Sequence, residues 1–497
     1  MKLTVKDMDI ATGGPLIIVL NKNDAKKMDL HYLDRVKIKK GNKIETCLLN
    51  IGETKKAVPS GKIGLCEEVL ISLHLKNGDI IDITPARKPL SVDYIKKKLD
   101  GLKLKKAEID QIVWDIVHNK LSDIELTYFV AACYANELDV NETTLLTKAM
   151  ATHGDTLKLN RYPILDKHCV GGIAGNRTTM VIVPVLAAAG ITIPKTSSRS
   201  ITSAAGTADT MEVLADVSFS IDRMKKIVEK TNGCMVWGGA LKLAPADDKI
   251  IRVERPLAID AKSQLLASVM AKKASVSATH LLVDIPAGKG SKLTSKDKAI
   301  ELKKDFENLA KKLGIEVKVI ITDGKEPVGN GIGPALEARD VLWVLKNDKR
   351  APEDLKKKSL MMAGLMLEMA GKAKRGNGIK LAKEILESGK AHEKMVEIIK
   401  AQGARITDPS KIRLGNIKYD MKAKKSGIVK EISNRTISRI ARIAGAPEYK
   451  GAGVYLYKHV GDKVKRGEKL FTIYSHSKDK LKFAFYAIEK LDGFVIS

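Results

Sequence analysis

Cysteine, aromatic residues and uninterrupted apolar runs are all scarce in this 497-residue sequence. The five cysteines lie far apart and form no Cys-x-x-Cys pair, and the nine histidines form no His-Glu-x-x-His pair. This usage argues against a disulfide framework and against a metal site. We therefore expect a reduced, cytoplasmic protein that needs no metal and no cofactor.

The lack of long apolar segments and of aromatic residues argues against a membrane protein and against a nucleic-acid-binding protein. The longest apolar stretch, 181–194, is interrupted by Pro184 and Gly190, and residues 1–14 lack the apolar segment of a signal peptide. Aromatic residues make up only 4% of the chain, so platforms for stacking single-stranded bases are few. We expect neither a membrane nor a nucleic-acid partner.

Positive charge, by contrast, is abundant. The 87 Lys and Arg residues outnumber the 59 Asp and Glu residues and give a net charge of +28. The basic residues are spread along the chain in short clusters, which favours a solvated lysine-rich surface over a groove that binds a polyanion such as a nucleic acid. A site for a smaller anion stays open as an alternative.

The sequence predicts a multidomain α/β protein. Residues 1–86 read as a small pseudo-symmetric β-barrel, because segment 30–38 resembles segment 73–81. Helical periodicity follows in a helical domain over 87–158, with a returning segment at about 241–275. A central α/β domain with a mixed, largely parallel sheet covers 159–412, and a C-terminal α+β domain with a lipoyl-like hammerhead turn covers 413–497.

A glycine-rich segment between a predicted strand and helix is the first candidate site. It carries Lys167 and His168 directly before Gly171 and Gly172. Glycines allow backbone N–H groups to approach an oxyanion, and a helix N-terminus and a lysine add positive charge. The segment lacks the Gly-Lys-Ser/Thr ending of a nucleoside-triphosphate loop, so we predict a simple phosphate site.

A second segment, 195–212, is rich in hydroxyl groups around Arg199 and directly follows a predicted strand. Hydroxyls and a guanidinium suit sugar hydroxyls and phosphate oxygens. A Ser/Thr linker is the structural alternative.

A third group comprises Asp260, Ser268 and Lys272. Ser268 and Lys272 are four residues apart, so they lie on one face of a predicted helix. Asp260 precedes that helix among apolar neighbours, which would raise its carboxyl pKa and suit a general acid. A helix cap is the other reading of Asp260.

Five motifs occur in order along the chain: Lys167-His168-x-x-Gly171-Gly172, Ser198-Arg199 with Gly206-Thr207-x-Asp209-x-x-Glu212, Leu243-Ala244-Pro245-Ala246-Asp247, Ser268-x-x-x-Lys272-Lys273, and Gly461-Asp462-x-Val464. In this order they resemble the thymidine and pyrimidine nucleoside phosphorylase family over residues 92–497. The resemblance implies a phosphate-dependent pentosyltransferase in which Asp260 donates a proton to the leaving base. The implied binding positions are Gly172, Ser198, Arg199, Ser200, Ile201, Thr202, Ser203, Thr207, Ser268 and Lys292, and then Lys167, His168, Lys272 and Lys289. Whether Arg252 or Arg255 contacts the base stays open.

Departures from the family pattern indicate the substrate. Relatives usually carry a Gly-Arg-Gly-x-Gly-x-Thr-Gly-Gly-Thr loop, whereas this chain has hydroxyl residues there and adds Lys289 and Lys292. Two further cations can neutralise a second anion, such as a retained 5′-phosphate, which would be costly to bury unpaired. With the added barrel, the chain resembles the archaeal branch of the family that phosphorolyses AMP.

That branch implies AMP, with CMP and UMP as further substrates, plus inorganic phosphate as co-substrate. The products would be the free base and ribose 1,5-bisphosphate, which feeds an isomerase and an archaeal type of Rubisco. The resemblance also implies a homodimer or a larger homo-oligomer. The rivals are a pyrimidine nucleoside phosphorylase, an Mg²⁺-dependent phosphoribosyltransferase of the anthranilate type, and a nucleic-acid binder.

Overall fold

The computed structural model describes residues 1–200, 203–257, 259, 261–489 and 493–497. The chain divides into two compact units. We name Met1–His153 with Ala244–Ser268 the N-terminal unit, and Gly154–Leu243 with Val269–Ser497 the main unit. Within the described ranges, every helix is too short or too polar to cross a membrane.

The strands, in chain order, are β1 (Lys2–Asp7), β2 (Ile17–Asn21), β3 (Arg35–Lys40), β4 (Lys43–Gly52), β5 (Lys62–Leu65), β6 (Ile80–Ala86), β7 (Leu165–Cys169), β8 (Ile193–Ser197), β9 (Gly233–Trp237), β10 (His280–Ala287), β11 (Glu316–Asp323), β12 (Gly331–Ile332), β13 (Ile417–Lys422), β14 (Gly427–Ile432), β15 (Gly453–Leu456), β16 (Lys463–Val464), β17 (Lys469–Ser475) and β18 (Phe494–Ile496). The helices are α1 (Lys22–Lys27), α2 (Glu67–Leu73), α3 (Ser91–Leu99), α4 (Lys106–Val117), α5 (Asp123–Ala135), α6 (Val140–Thr152), α7 (Thr178–Ala188), α8 (Thr207–Met211), α9 (Ile221–Thr231), α10 (Pro245–Leu257), α11 (Lys262–Ser275), α12 (Lys296–Leu313), α13 (Pro334–Leu345), α14 (Glu353–Met369), α15 (Gly378–Glu387), α16 (Lys390–Ala401), α17 (Asn434–Ile443) and α18 (Lys478–Glu489).

The first six strands form a closed barrel in the order β1-β5-β2-β4-β3-β6. Alternate residues point inward, and Ile18 and Leu20 in β2 and Ile81 and Ile83 in β6 are at most 1% exposed. The sequence repeat ends on β3 and on β6, each of which follows a strand and a short helix. The predicted N-terminal barrel is confirmed.

Helices α3 to α6 follow the barrel, and α10 returns to pack on α4 and α5. The predicted capping box begins α5, because the Ser122 hydroxyl accepts from the Glu125 N–H at 3.2 Å and the Glu125 carboxylate accepts from the Ser122 N–H at 2.9 Å. The Lys249 ammonium of α10 donates to the carbonyls of Ile116 and Val117 at 2.8 and 2.6 Å. This lysine caps the C-terminus of α4 and fixes the returning segment to the helical bundle.

The main unit is built on parallel strands. Strands β11, β10 and β7 pair in parallel, as do β8 and β9, and a bridge between Ile164 and Thr192 continues the pairing between the two groups. Helix α7 is buried at almost every position because its residues are apolar all round. Among the described residues, strands β7 to β11 pair only in parallel, as expected for an α/β domain.

The C-terminal segment, residues 413–497, combines sheets and helices. Strands β15, β17 and β13 form an antiparallel sheet that β12, from outside this segment, extends at the β15 edge, and β16, β14 and β18 form a second group. Helices α17 and α18 pack against each other and against this sheet. The segment is therefore α+β, as the sequence predicts.

Candidate active site

Three loops follow three of the parallel strands of the main unit. The glycine loop, residues 170–177, follows β7; the hydroxyl loop, residues 198–206, follows β8; and the lysine loop, residues 288–292, follows β10. The carboxyl ends of parallel strands lie at one edge of a sheet, where open α/β folds bind ligands. The predicted binding residues of these loops that the structure describes therefore share one edge.

The glycine loop and the lysine loop are in direct contact at Gly172. This residue has φ of +93°, and a Cβ atom there would lie 2.3 Å from the backbone N of Lys292 and 2.8 Å from the carbonyl C of Ser291. Only glycine allows so close an approach of two backbones at positive φ. Two residues predicted as substrate contacts, Gly172 and Lys292, are thus neighbours.

Arg177 joins the glycine loop to the hydroxyl loop. Its guanidinium donates to the Thr207 hydroxyl at 3.0 Å, to the Ala205 carbonyl at 2.7 Å and to the buried Glu337 carboxylate at 2.5 Å. Glu337 also accepts from the Thr210 hydroxyl at 2.8 Å. A guanidinium that is held by a buried acid and donates to the hydroxyl loop and to Thr207 directly after it fixes the relative position of the two loops.

The acids after the hydroxyl loop order its backbone. The Asp209 carboxylate, 2% exposed, accepts from the N–H groups of Ser200 at 2.7 Å and Gly206 at 2.9 Å. Arg199 donates to both Glu212 oxygens at 2.8 and 2.6 Å, and its guanidinium lies 4.7 Å from the ring centre of Trp237. The hydrogen bonds from Arg199 lower the pKa of Glu212 to about 2. In this arrangement Arg199 holds the loop through Glu212.

A buried charge cluster lies beneath the glycine loop. The Asp166 carboxylate accepts from Lys195 at 3.2 Å and from Lys273 at 2.7 Å, and all three side chains are at most 7% exposed. Burial alone would raise the pKa of Asp166, but the two lysines hold it below its ordinary value. Burial lowers the pKa of Lys195 to about 7 against the attraction of Asp166. Two cations therefore share one carboxylate.

Lys167 and His168 lead from β7 into the glycine loop. The ammonium of Lys167, whose side chain is almost fully buried, donates to the Thr178 hydroxyl at 3.1 Å, at the positive N-terminal end of α7. Burial and the nearby lysines, Lys273 first among them, lower the pKa of His168 well below its ordinary value. His168 is therefore a neutral imidazole at pH 7.

The remaining predicted residues have different positions. Lys289, largely exposed, pairs with Glu431 at 2.7 Å, and Ser268 and Lys272 lie one turn apart on α11. Arg252 donates to the Asp123 carboxylate at 2.5 Å. Ser198 is exposed, and the Ser203 hydroxyl donates to the Ala205 carbonyl at 2.9 Å. The predicted residues Ile201, Thr202 and Asp260, and the side chain of Arg255, lie outside the described residues.

Family models match three parts of the chain: a glycosyl transferase family helical bundle domain at residues 92–154, a glycosyl transferase family a/b domain at 161–392, and a pyrimidine nucleoside phosphorylase C-terminal domain at 428–491. The AMP phosphorylase of Thermococcus kodakarensis is 49% identical over 97% of this chain and 95% of its own length. The chain belongs to the AMP phosphorylase family. This family is a branch of the thymidine and pyrimidine nucleoside phosphorylases.

Two further AMP phosphorylases are similar to this chain over nearly its whole length. The Pyrococcus furiosus enzyme is 48% identical over 99% of this chain and 97% of its own length. The Methanocaldococcus jannaschii enzyme is 45% identical over 97% of this chain and 95% of its own length. Relatives of this similarity therefore include the N-terminal barrel region as well as the regions matched by the family models.

Solved structures of other enzymes share the fold of this AMP phosphorylase family member. Anthranilate phosphoribosyltransferase from Thermus thermophilus matches with a TM-score of 0.54 and 20% identity, over 62% of this chain and 99% of that one. The Saccharomyces cerevisiae enzyme, in complex with PRPP and Mg, matches with a TM-score of 0.51 and 17% identity, over 63% and 97%. Such low identity shows a shared fold alone.

Sequence reasoning missed several residues that organise the site of this family member. Asp166 directly precedes the first motif and Lys195 begins the second candidate segment, but neither residue was assigned a role. Arg177 and Glu337 are 160 positions apart, so no local pattern could pair them. Asn434 is separated from its partner Ala174 by 260 positions and could not be paired with it from the sequence either.

Proposed function

We propose that the chain catalyses the phosphorolysis of AMP, in which AMP and inorganic phosphate give adenine and α-D-ribose 1,5-bisphosphate. The observation that carries this proposal is the near full-length identity of 45–49% to AMP phosphorylases. The three loops supply what two phosphate groups need, namely backbone N–H groups, hydroxyls and lysines at one edge of the sheet.

The reaction needs no covalent intermediate. A phosphate oxygen attacks C1′ while the glycosidic bond breaks, and the bond's electron pair leaves with adenine as the ribose develops oxocarbenium character. By family resemblance, Asp260 donates a proton to the leaving base, Ser268 places that base and Lys292 contacts the nucleotide. The neutral His168 can donate or accept a hydrogen bond here without repelling the cationic lysines. Positioning and electrostatics account for the acceleration.

Several finer statements belong to the same proposal. We propose CMP and UMP as further substrates, a cytoplasmic homodimer or larger homo-oligomer, and catalysis without metal or cofactor. The product would pass to an isomerase and an archaeal type of Rubisco. The domain boundaries and the lipoyl-like hammerhead around 461–464 stay predictions.

A direct test measures phosphate-dependent base release from AMP, CMP and UMP beside adenosine, uridine and thymidine. We expect AMP to react faster than adenosine, because the 5′-phosphate adds binding energy that the bare nucleoside lacks. Addition of EDTA should leave the rate unchanged. Faster turnover of uridine or thymidine than of any monophosphate would instead identify a pyrimidine nucleoside phosphorylase, and pyrophosphate dependence with Mg²⁺ would indicate a phosphoribosyltransferase.

A further inference from the structure

The C-terminal segment contacts the glycine loop through a buried asparagine. Asn434, the first residue of α17, is 1% exposed. Its side-chain oxygen accepts from the Ala174 N–H at 3.0 Å, and its side-chain NH₂ donates to the Gly324 carbonyl at 3.2 Å. A buried amide with both ends satisfied has one orientation. The N–H of Ala174 is thereby held in a fixed direction within the glycine loop.

Asn434 also borders the lysine loop. A Cβ atom on Gly290 would lie 3.5 Å from the Asn434 side chain, and the Gly324 N–H donates to the Ala287 carbonyl at the end of β10 at 3.0 Å. One carboxamide thus links the backbones that follow β7, β10 and β11. Because the Asn434 side chain lies between these backbones, it sets the distances between them.

A second side chain of the C-terminal segment reaches the two acids that follow the hydroxyl loop. The Lys450 ammonium lies 2.8 Å from Glu212 and 3.8 Å from Asp209. These are the two carboxylates that hold Arg199 and the backbone of Ser200. Lys450 supplies the second positive charge that balances this acidic pair.

Apolar packing accompanies both polar contacts. Ala174 of the glycine loop and Ala204 of the hydroxyl loop, 3% and 1% exposed, belong to the same hydrophobic cluster as Val429, Ile437 and Val454 of the C-terminal segment. Each loop therefore contributes one methyl group to the core of this segment. Displacing the segment would expose both methyl groups and release both loops.

We propose that Asn434 and Lys450 are positioning residues, through which the C-terminal segment sets the orientation of the two anion-binding loops. Neither side chain touches the substrate in this scheme. Asn434 aims the backbone N–H groups of the glycine loop at phosphate, and Lys450 holds the acids that shape the hydroxyl loop. The role in catalysis rests on the proposed AMP phosphorolysis, whereas the role in loop order does not.

The test compares Asn434→Ala, Lys450→Gln and the control Ser475→Ala in the full-length protein. Ser475 is a suitable control because it is buried and its hydroxyl bonds only within the C-terminal segment, to the Ala444 carbonyl at 2.7 Å and the Ser477 carbonyl at 3.2 Å. Hydrogen exchange of peptides covering 170–177 and 198–206 reports loop order without any reaction. The KM for phosphate and kcat report the consequence for catalysis.

We expect Asn434→Ala to speed exchange in 170–177 and to raise the KM for phosphate about tenfold, with a smaller change in kcat. Lys450→Gln should speed exchange in 198–206 and raise that KM about two- to fivefold, since its ion pair is partly exposed. Ser475→Ala should do neither. Peptides covering 417–432 should keep their exchange rates in all three variants.

Unchanged exchange in 170–177 for Asn434→Ala overturns the proposal whatever the activity. An equal rise in KM for Ser475→Ala also overturns it, because the effect would then be general loosening of the segment. If the wild-type protein does not phosphorolyse AMP but exchange changes as expected, the proposed function fails and the positioning of the loops stands.

Discussion

Replacing Lys195 by methionine tests the buried charge cluster beneath the glycine loop. Lys195 and Lys273 share the carboxylate of Asp166, and all three side chains are nearly inaccessible to water. Burial is the largest cause that lowers the pKa of Lys195, from 10.5 to about 7, and the other buried cations add to it. Methionine has a similar length, carries no charge and leaves Asp166 paired with Lys273.

The sign of the pH effect follows from proton binding. Between pH 7 and pH 10 the unfolded chain keeps the Lys195 proton while the folded protein has lost it, so the unfolded state binds more protons. The folded state must therefore gain stability as pH rises through this window. The difference between the unfolded and folded pKa values of Lys195 corresponds to about 5 kcal/mol of stability in total. About 2 kcal/mol of this is gained between pH 7 and pH 9.

The assay is the free energy of unfolding of the main unit in urea at pH 7, 8 and 9, for wild type, Lys195→Met and Lys298→Met. Lys298 is an exposed lysine of α12 and serves as the matched control. We expect the free energy of unfolding of the wild type to rise by about 2 kcal/mol relative to that of Lys195→Met between pH 7 and pH 9. The difference between the wild type and Lys298→Met should stay constant over the same range. A difference from Lys195→Met that stays constant with pH, or moves the other way, would refute this account of the cluster.

Three further predictions concern the same site. Asp260→Asn should lower kcat about 10²- to 10⁴-fold while AMP binding, measured by calorimetry, changes little; an active variant would remove Asp260 as the acid. Gly172→Ala should raise the KM for phosphate more than Gly171→Ala does. Both positions have positive φ, but only a methyl group at position 172 would collide with the backbone of Lys292. Equal effects of the two substitutions would show that this backbone contact does not matter for phosphate binding. Asp166→Asn should cost about 3–5 kcal/mol in urea unfolding at pH 7, because two buried lysines lose their partner; a loss below about 1 kcal/mol would show that the cluster is hydrated.

Local sequence patterns were sufficient for features whose physics is local. The capping box of Ser122 and Glu125 is a contact across three residues, and the Gly171-Gly172 turn before α7 depends on backbone freedom at those two positions. The strand, loop and helix order around the glycine loop could be predicted for the same reason. The binding and catalytic roles of all the predicted site residues stay predictions.

Contacts between distant segments could not be predicted in this way. The substrate role of Arg199 stays a prediction, but the contact of its guanidinium with Glu212 was not predicted, and neither was the contact of Lys289 with Glu431, 142 residues away. A charged side chain carries no sequence signal of whether it will face a ligand or a neighbouring acid. That choice depends on which strands become neighbours in the sheet.

The sequence by itself determined the order of barrel, helices and α/β units, the family, and the placement of glycine-rich and hydroxyl-rich loops after strands, since these follow from periodicity, glycine positions and motif order. The tertiary structure alone decided that Asp166 is shared by lysines 29 and 107 residues away and that Asn434 holds Ala174 across 260 residues. The physical reason is burial: once water is excluded, each of these polar groups must find its partner within the fold, whatever the distance along the chain.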